Sequence, residues 1–236
     1  MIHQNLRELR ESINQVARSS NRDPEEIQLV AVSKRFPLAA MEEALKAGQM
    51  IFGENYIQEA AEKKSALLDR IRLHFIGNLQ SNKAKIAVET CDMVETIDRP
   101  KIVQALHKHL VSQDRHLDVL VQVNVAQDSH KSGVYPHEAE SLLMYIKDFP
   151  RLRLRGLMTM PPYTPDPEMA RPYFKALRSL AEQMKLKGLL GKSGKIELSM
   201  GMSHDYKVAI EEGATLIRIG TAIFGERPPL SQNRKD

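Results

Sequence analysis

The first apolar run of four residues lies within Gln28-Leu29-Val30-Ala31-Val32-Ser33-Lys34. Its apolar part, Leu29 to Val32, includes two β-branched residues and no polar interruption, which is typical of a strand buried on both faces of a parallel sheet. The run ends abruptly, so Lys34 stands at the carboxyl end of that strand. Its ammonium group could simply reach water. Held in the mouth of a site, the same amine would instead be a nucleophile toward aldehydes.

Similar short apolar segments recur along the chain, and segments with helical periodicity separate them. The predicted strands are Leu29–Val32, Met50–Asn55, Leu73–Gly77, Met93–Ile97, Leu117–Val125, Leu154–Met158, Lys195–Met200 and Thr215–Ile219. The predicted helices are Met1–Ser20, Pro37–Gly48, Tyr56–Arg70, Ser81–Glu89, Arg99–Gln113, Tyr135–Lys147, Asp166–Leu186 and Ser203–Glu212. This alternation predicts a parallel sheet with right-handed crossovers. Eight such units favour an α/β fold of the (β/α)8 TIM-barrel type over an open doubly wound sheet.

The first helix is additional to this repeating unit. Its apolar residues Leu6, Leu9, Ile13 and Val16 follow helical spacing, and we expect it to cover the floor or the side of the barrel. Residues 1–225 are predicted to form one barrel domain. Residues 226–236, which hold two prolines and no apolar periodicity, are predicted to be a flexible tail.

Composition excludes several classes of protein. The 236 residues suit one barrel, and the net charge of +4 is interspersed along the helical segments, which indicates a solvated surface rather than a nucleic-acid partner. No apolar run approaches the ~20 residues of a membrane span. Glu8 and Glu11 in the first helix fit neither a secretory signal nor a transit peptide. The single cysteine, Cys91, agrees with a reducing compartment. We expect a cytoplasmic monomer with neither nucleic acid nor membrane as a partner.

Functional residues of such barrels lie at the carboxyl ends of the strands. The residues predicted at these ends are mostly amides, hydroxyls and glycines, and they are Lys34, Asn55, His74, Asn78, Asp98, Asn124, Met158, Thr159, Met160, residues 199–203, Arg218, Gly220 and Thr221. No His, Cys and Asp set among them has metal-ligand spacing, so we expect no metal site. A glycosidase with paired carboxylates is also poorly supported.

The loops after the seventh and eighth strands, 199–205 and 219–222, combine glycine with hydroxyl groups. Glycine lets the backbone approach a ligand, and Ser203 is predicted to cap the next helix, whose first amides attract an anion. Ordinary turn chemistry would explain each loop alone. The two together favour a phosphate, which barrels commonly hold at this place.

Arg218 lies between Ile217 and Ile219, so strand alternation points it away from both. It could form a structural salt bridge, or it could meet a ring nitrogen or carboxylate of a ligand. A lysine after strand one, a phosphate cup after strands seven and eight and an inward arginine together suit pyridoxal 5′-phosphate (PLP). Lys34 would form the Schiff base with its aldehyde, and Arg218 would face its pyridine nitrogen.

Ordered motifs along most of the chain carry a family resemblance. They are Ala31-Val32-Ser33-Lys34, Phe52-Gly53-Glu54-Asn55-Tyr56, His74-Phe75-Ile76-Gly77, Leu79-Gln80-Ser81-Asn82-Lys83, Lys131-Ser132-Gly133, Gly156-Leu157-Met158-Thr159-Met160, Leu198-Ser199-Met200-Gly201-Met202-Ser203, Arg218-Ile219-Gly220-Thr221 and Phe224-Gly225. With these motifs the sequence closely resembles the pyridoxal phosphate homeostasis protein family, whose barrel is like the N-terminal domain of alanine racemase.

The resemblance implies roles for individual residues. Lys34 would be the lysine modified by PLP, and Arg218 would meet the pyridine nitrogen. The remaining cofactor-binding residues that it implies are Asn55, His74, Met202, Ser203, Gly220 and Thr221, of which Ser203, Gly220 and Thr221 would hold the phosphate. Members of the family have no established catalytic activity. They are similar in acting on the cellular balance of vitamin B6 cofactor, so apo forms of PLP enzymes are candidate partners.

The choice between a carrier and an enzyme can also be argued physically. An arginine at the pyridine nitrogen disfavours its protonation and weakens the ring as an electron sink. A two-base racemase needs a base on each face of the reacting carbon, and similar racemases take one, a tyrosine, from a separate β-domain for which the segment after strand eight is too short. We therefore expect a non-catalytic PLP-binding protein. The alternatives are a small racemase that uses Lys34 as its base and a Schiff-base aldolase acting on a phosphosugar.

Lys131 follows strand five at the same predicted mouth. It could fix the phenolate of the cofactor, or accept the aldehyde during transfer. It could equally be a solvated loop lysine beside His130.

Overall fold

The computed structural model describes residues 1–192 and 194–226. Their parallel strands form a closed barrel in sequence order, in which the last strand pairs with the first. The strands are β1 Gln28–Val32, β2 Ile51–Glu54, β3 Arg72–Phe75, β4 Met93–Ile97, β5 Leu117–Gln122, β6 Leu152–Met158, β7 Glu197–Ser199 and β8 Leu216–Ile219. The predicted (β/α)8 barrel is confirmed.

Helices cover the outside of this barrel. They are α1 Ile2–Ser19, α2 Leu38–Lys46, α3 Ile57–Leu67, α4 Ala84–Thr90, α5 Pro100–Ser112, α6 Ala139–Ile146, α7 Arg171–Leu186, α8 Tyr206–Glu211 and α9 Thr221–Phe224. Short 3-10 turns, Ser81–Lys83 and Pro167–Ala170, lead into α4 and α7. No described helix is both long and apolar enough to cross a bilayer.

Strand alternation divides the core into two layers. Ile217 and Ile219 belong to the large apolar layer between strands and helices. A small interior cluster fills the barrel itself, and it consists of Val30, Met93, Leu120, Met158 and Leu216. Arg218 lies between the two isoleucines in sequence and is also buried, so its side chain lies on the interior side, as the alternation predicted.

Helix α1 packs on the side of the barrel, where it contacts α2, α8 and α9. Its buried face includes Leu6, Leu9 and Ile13. The hydroxyl of Ser12 lies 2.8 Å from that of Tyr206 in α8, and Asn5 Nδ2 donates to a backbone carbonyl of α9 at 2.9 Å. Because α9 has only four residues, α1 supplies the apolar surface that the last helix is too short to give.

Several element boundaries differ from the sequence-based ones. Helix α8 begins at Tyr206, so the prediction that Ser203 caps it is wrong. Asp205 precedes the helix instead, and its carboxylate accepts from the backbone N–H of Met202. Helix α6 begins four residues later than predicted because a turn precedes it, and a short helix follows Gly220 where only a loop was expected. The predicted tail, 226–236, lies outside the described residues except for Glu226.

Candidate functional site

Barrel closure brings the first and the last strand together, so their carboxyl ends lie at one rim. Strands β1 and β8 pair in parallel, with Ala31 opposite Ile219. The residues that follow these strands, Lys34 on one side and Gly220 and Thr221 on the other, therefore lie at the same rim. Strand β7 is the other neighbour of β8, which brings the loop after Ser199 to the same place.

A cavity of about 190 Å³ opens between these loops. Its lining residues are Val32, Lys34, Asn55, Ile76, Met160, Tyr163, Met202, Ser203, His204, Arg218, Gly220 and Thr221. The structure thus brings together seven of the eight residues predicted to bind a cofactor. The eighth, His74, is buried inside the barrel and does not line the cavity.

Lys34 is half-buried and follows Ser33, which is fully buried. The next residue, Arg35, has a left-handed backbone with φ of 68°. For a residue with a side chain this conformation costs about 1–2 kcal/mol, so the surrounding contacts must hold it. The chain therefore turns sharply at the point where Lys34 enters the cavity.

The loop after β7 depends on a glycine. Gly201 has φ of 93°, and a Cβ there would lie only 2.5 Å from the Cβ of Ala209. Asp205 Oδ1 accepts from the backbone N–H of Met202 at 2.6 Å, which closes the turn. Ser203 follows Met202 in this turn and lines the cavity.

Gly220 is the glycine of the loop after β8. A Cβ there would lie 3.3 Å from the carbonyl oxygen of Val32, tighter than ordinary contact. The absence of a side chain lets β8 turn into α9 against β1, which places Thr221 at the cavity.

Arg218 is held by a chain of hydrogen bonds across the barrel interior. One guanidinium nitrogen donates to Ser199 Oγ at 2.5 Å, and the other donates to the carbonyl oxygen of Thr159 at 2.8 Å. Ser199 Oγ donates in turn to Glu95 Oε2 at 2.5 Å. The Glu95 carboxylate also lies 2.7 Å from His74 Nδ1 through its other oxygen. We call His74, Glu95, Ser199 and Arg218 the interior network.

The charges of this network compensate each other. Burial lowers the pKa of Arg218, while attraction to Glu95 and Asp205 opposes that shift. Burial alone would raise the pKa of Glu95, but hydrogen bonding and attraction from His74 and the charge of Arg218 together hold it below its ordinary value. The carboxylate therefore stays ionised opposite the guanidinium. A charged Arg218 at the cavity floor suits an acceptor such as an unprotonated ring nitrogen.

His74 contributes to the site indirectly. Its Nε2 is buried and has no hydrogen-bond partner among the described residues. Its Nδ1 contact with Glu95 makes it part of the interior network, which reaches the cavity through Arg218.

Asn55 offers the cavity an unused acceptor. Its Oδ1 is buried and has no hydrogen-bond partner within the described part of the chain. Gly77 crosses this residue so closely that a Cβ there would lie 2.1 Å from the Asn55 carbonyl oxygen. The backbone of Asn55 is therefore packed closely against Gly77, and a side-chain polar atom left without a partner in a cavity wall fits a polar ligand such as PLP.

Sequence reasoning missed several residues of the site. Glu95 is one, although a carboxylate within a buried strand is itself a signal of an interior charge pair. Tyr163 is another; it is 76% exposed, and its ring centroid lies 5.4 Å from that of His204. Its place in the loop after β6 could have suggested it, because that loop ends at the same rim.

Lys131 reaches the edge of the cavity. Its Nζ donates to the carbonyl oxygen of Met160, a lining residue, at 3.3 Å. Burial lowers the pKa of Lys131, and the charge of Asp128 opposes this shift. The two roles suggested for Lys131 from the sequence remain predictions.

The described residues hold no group of three His, Cys, Asp or Glu side chains arranged for a metal ion.

The protein-family model of the alanine racemase N-terminal domain matches residues 4–228 of the chain. A protein of Escherichia coli strain K12 named pyridoxal phosphate homeostasis protein is 42% identical over 231 residues, which are 96% of this chain and 97% of the relative. The chain belongs to the pyridoxal phosphate homeostasis protein family.

Two further relatives agree with this assignment. The pyridoxal phosphate homeostasis protein of Pasteurella multocida is 40% identical and covers 96% of this chain and 97% of its own. The solved structure of PipY from Synechococcus elongatus PCC7942, with PLP bound, is 34% identical and has a TM-score of 0.83. It covers 95% of this chain and 100% of its own.

Proposed function

We propose that this protein binds PLP as a Schiff base on Lys34 and acts in the homeostasis and supply of vitamin B6 cofactor without catalysing a reaction of its own. The observation that carries this proposal is the meeting of Lys34, Arg218 and the loops after β7 and β8 in one cavity. The PLP bound in PipY, a relative of the same fold, supports the choice of cofactor.

Each residue of the cavity would have its own role in binding PLP. Lys34 would bond the aldehyde carbon, and Ser203, Gly220 and Thr221 would hold the phosphate. Arg218, kept ionised by Glu95, would donate to the ring nitrogen without protonating it. The Asn55 amide would take a polar group of the ring, and Met202 would border the ring with an apolar surface. Bound in this way, the cofactor supplies a carbon–nitrogen double bond that other amines can exchange.

A transfer experiment tests the proposal. The purified protein, mixed with PLP and freed of excess, should keep a visible absorbance band. It should then restore activity to the apo form of a PLP-dependent enzyme. Lys34→Ala should keep no band and restore nothing. A wild-type protein that retains no PLP would overturn the proposal.

The second candidate is a small amino-acid racemase that uses Lys34 as a base. Tyr163 favours it, because its phenol lines the same cavity and could serve as a second acid–base group. Exchange of the α-hydrogen of added amino acids for solvent deuterium separates the two functions. A carrier shows no exchange above free PLP, whereas a racemase shows turnover that Lys34→Ala abolishes and Tyr163→Phe reduces.

Transfer of the cofactor to apo-PLP enzymes, the monomeric state and the cytoplasmic location remain predictions. The first is tested by the experiment above. Sedimentation of the loaded protein over a range of concentrations tests the second, since a monomer keeps one sedimentation coefficient throughout.

A further inference from the structure

A second group of buried charges lies under the turn that carries Lys34, outside the barrel interior. It consists of Glu54 at the end of β2 and of Glu59 and Lys63 on α3, each at most 6% exposed. Lys63 Nζ lies 2.6 Å from Glu54 Oε1 and 2.8 Å from Glu59 Oε1. We call these three residues the clamp. None of them lines the cavity.

The ammonium group of Lys63 donates three hydrogen bonds. Its third hydrogen bond goes to the backbone carbonyl oxygen of Ser33 at 2.7 Å, so its three donors meet three acceptors. A lysine that only neutralised a carboxylate would not need this contact. The contact ties α3 to the residue immediately before Lys34.

The two carboxylates hold the same turn on both sides. Glu54 Oε1 accepts from the Ser33 hydroxyl at 2.6 Å. Glu59 Oε1 accepts from the backbone N–H of Arg35 at 2.7 Å. The backbone before and after Lys34 is thus bound to the clamp, including the left-handed residue Arg35 that needs such support.

We propose that Glu54, Glu59 and Lys63 are positioning residues that fix the attachment point of Lys34 and thereby slow the release of the bound aldehyde. This inference rests on the proposed function, because it assumes that Lys34 carries PLP. None of the three residues lines the cavity in which the cofactor would lie, so they would act on Lys34 only through the turn.

The reaction that the clamp governs is a reversible condensation. Lys34 Nζ adds to the aldehyde carbon, the carbon–nitrogen double bond forms, and the aldehyde oxygen leaves as water. Release consumes one water molecule and returns the free amine and aldehyde. If the turn becomes mobile, Lys34 is no longer held in the geometry of the bound state. Hydrolysis of the carbon–nitrogen double bond and exchange with other amines then become faster.

The experiment compares Lys63→Met with Lys64→Met. Lys64 is the next residue of α3; its Nζ is ion-paired with Asp92 Oδ2 at 3.1 Å and donates to the carbonyl oxygen of Ile71 at 2.7 Å. Ile71 precedes β3 and Asp92 precedes β4, so both lie at the amino ends of strands, whereas Lys34 follows the carboxyl end of β1. Each protein is loaded with PLP, and the rate at which the visible band decays is followed in excess hydroxylamine, which traps the released or exchanged aldehyde.

We expect release on the order of tenfold faster in Lys63→Met and within about twofold of wild type in Lys64→Met. The pH at which the absorbance band changes should also move in Lys63→Met only, since a purely stabilising residue would not alter the ionisation of the lysine adduct. Equal rates in both variants would overturn the positioning role.

A second pair decides the matter if Lys63→Met does not fold. Glu59→Gln keeps an oxygen that can accept from Arg35 N–H, whereas Glu59→Ala does not. Faster release in Glu59→Ala than in Glu59→Gln supports the clamp, and identical rates contradict it. A wild-type protein with no band would instead refute the proposed function itself, so the two failures are distinguishable.

Discussion

The interior network and the clamp are both buried and charged, yet their charge balance differs. In the interior network one carboxylate, Glu95, faces one guanidinium, and its pKa lies below the ordinary range. In the clamp two carboxylates share one ammonium, and burial raises the pKa of Glu54 although Lys63 and Ser33 oppose the shift. In the first network Glu95 stays ionised opposite Arg218, which lines the cavity. The second can take up a proton and supports the turn that carries Lys34.

The largest expected effect is that of Glu95→Ala. It leaves Arg218 buried without its counter-charge, which should lower the free energy of unfolding by about 3–5 kcal/mol. Urea unfolding at neutral pH measures the loss. A decrease below about 1 kcal/mol would mean that Arg218 does not depend on Glu95.

Lys63→Met should cost less, about 2–3 kcal/mol, although it removes an equally buried charge. Glu54 can relieve the unpaired carboxylates by taking a proton, because its pKa is already raised. The loss measured by urea unfolding should therefore shrink at pH 5 relative to pH 8. If the loss in the free energy of unfolding were the same at both pH values, Glu54 would not take up a proton to relieve the unpaired carboxylates.

Ser199→Ala should lower the free energy of unfolding by about 1–2 kcal/mol, because Arg218 and Glu95 are linked through this hydroxyl. The same variant should weaken PLP binding, since the guanidinium loses one of its two fixed partners. Equilibrium dialysis with PLP measures the second effect. Unchanged affinity would separate the interior network from the site.

Opposite pH slopes should distinguish the two acids. Glu95 has a lowered pKa, so its stabilisation is complete above about pH 4.3, the unfolded value, and is lost as pH falls through the folded value. Glu54 has a raised pKa, so stability decreases as pH rises from about 4.3 toward its folded value. Glu95→Gln should remove the loss of stability that occurs as pH falls below about 4.3. Glu54→Gln should remove the loss of stability that occurs as pH rises above about 4.3. If the two substitutions changed the pH dependence of the free energy of unfolding in the same direction, the opposite pKa shifts of Glu95 and Glu54 would be contradicted.

The smallest effect belongs to Lys64→Met. Its ion pair with Asp92 is partly exposed, so solvent screening limits its contribution to about 0–1 kcal/mol. Thermal unfolding of Lys64→Met and Lys63→Met compares the loss of stability for a solvent-screened lysine with that for a buried lysine of the same helix. Equal losses would remove the distinction between them.

Periodicity and strand-end position predicted the barrel and most of the cavity lining. Local spacing is enough for Lys34, Arg218 and the glycines, because strand ends of a parallel barrel share one rim. It is not enough for the pairing of Glu95 with His74 and Arg218, which joins distant strands across the interior. Spacing also does not tell how deep in the barrel His74 lies, and its role in cofactor binding, which the family resemblance implies, remains a prediction.

Two local errors have physical causes as well. Ser203 carries the residue type of an N-cap, but Asp205 closes the turn on Met202 and so delays the helix to Tyr206. The helix after Gly220 has only four residues, too few for a periodic apolar pattern to show.

The most direct test of the account is the site of covalent attachment. The protein is loaded with PLP, reduced with borohydride so that hydride adds to the carbon–nitrogen double bond, digested, and analysed by mass spectrometry. We predict one labelled lysine, Lys34, with no stable label in Lys34→Ala. Label confined to Lys131 or spread over surface lysines, with Lys34 unmodified, would contradict it.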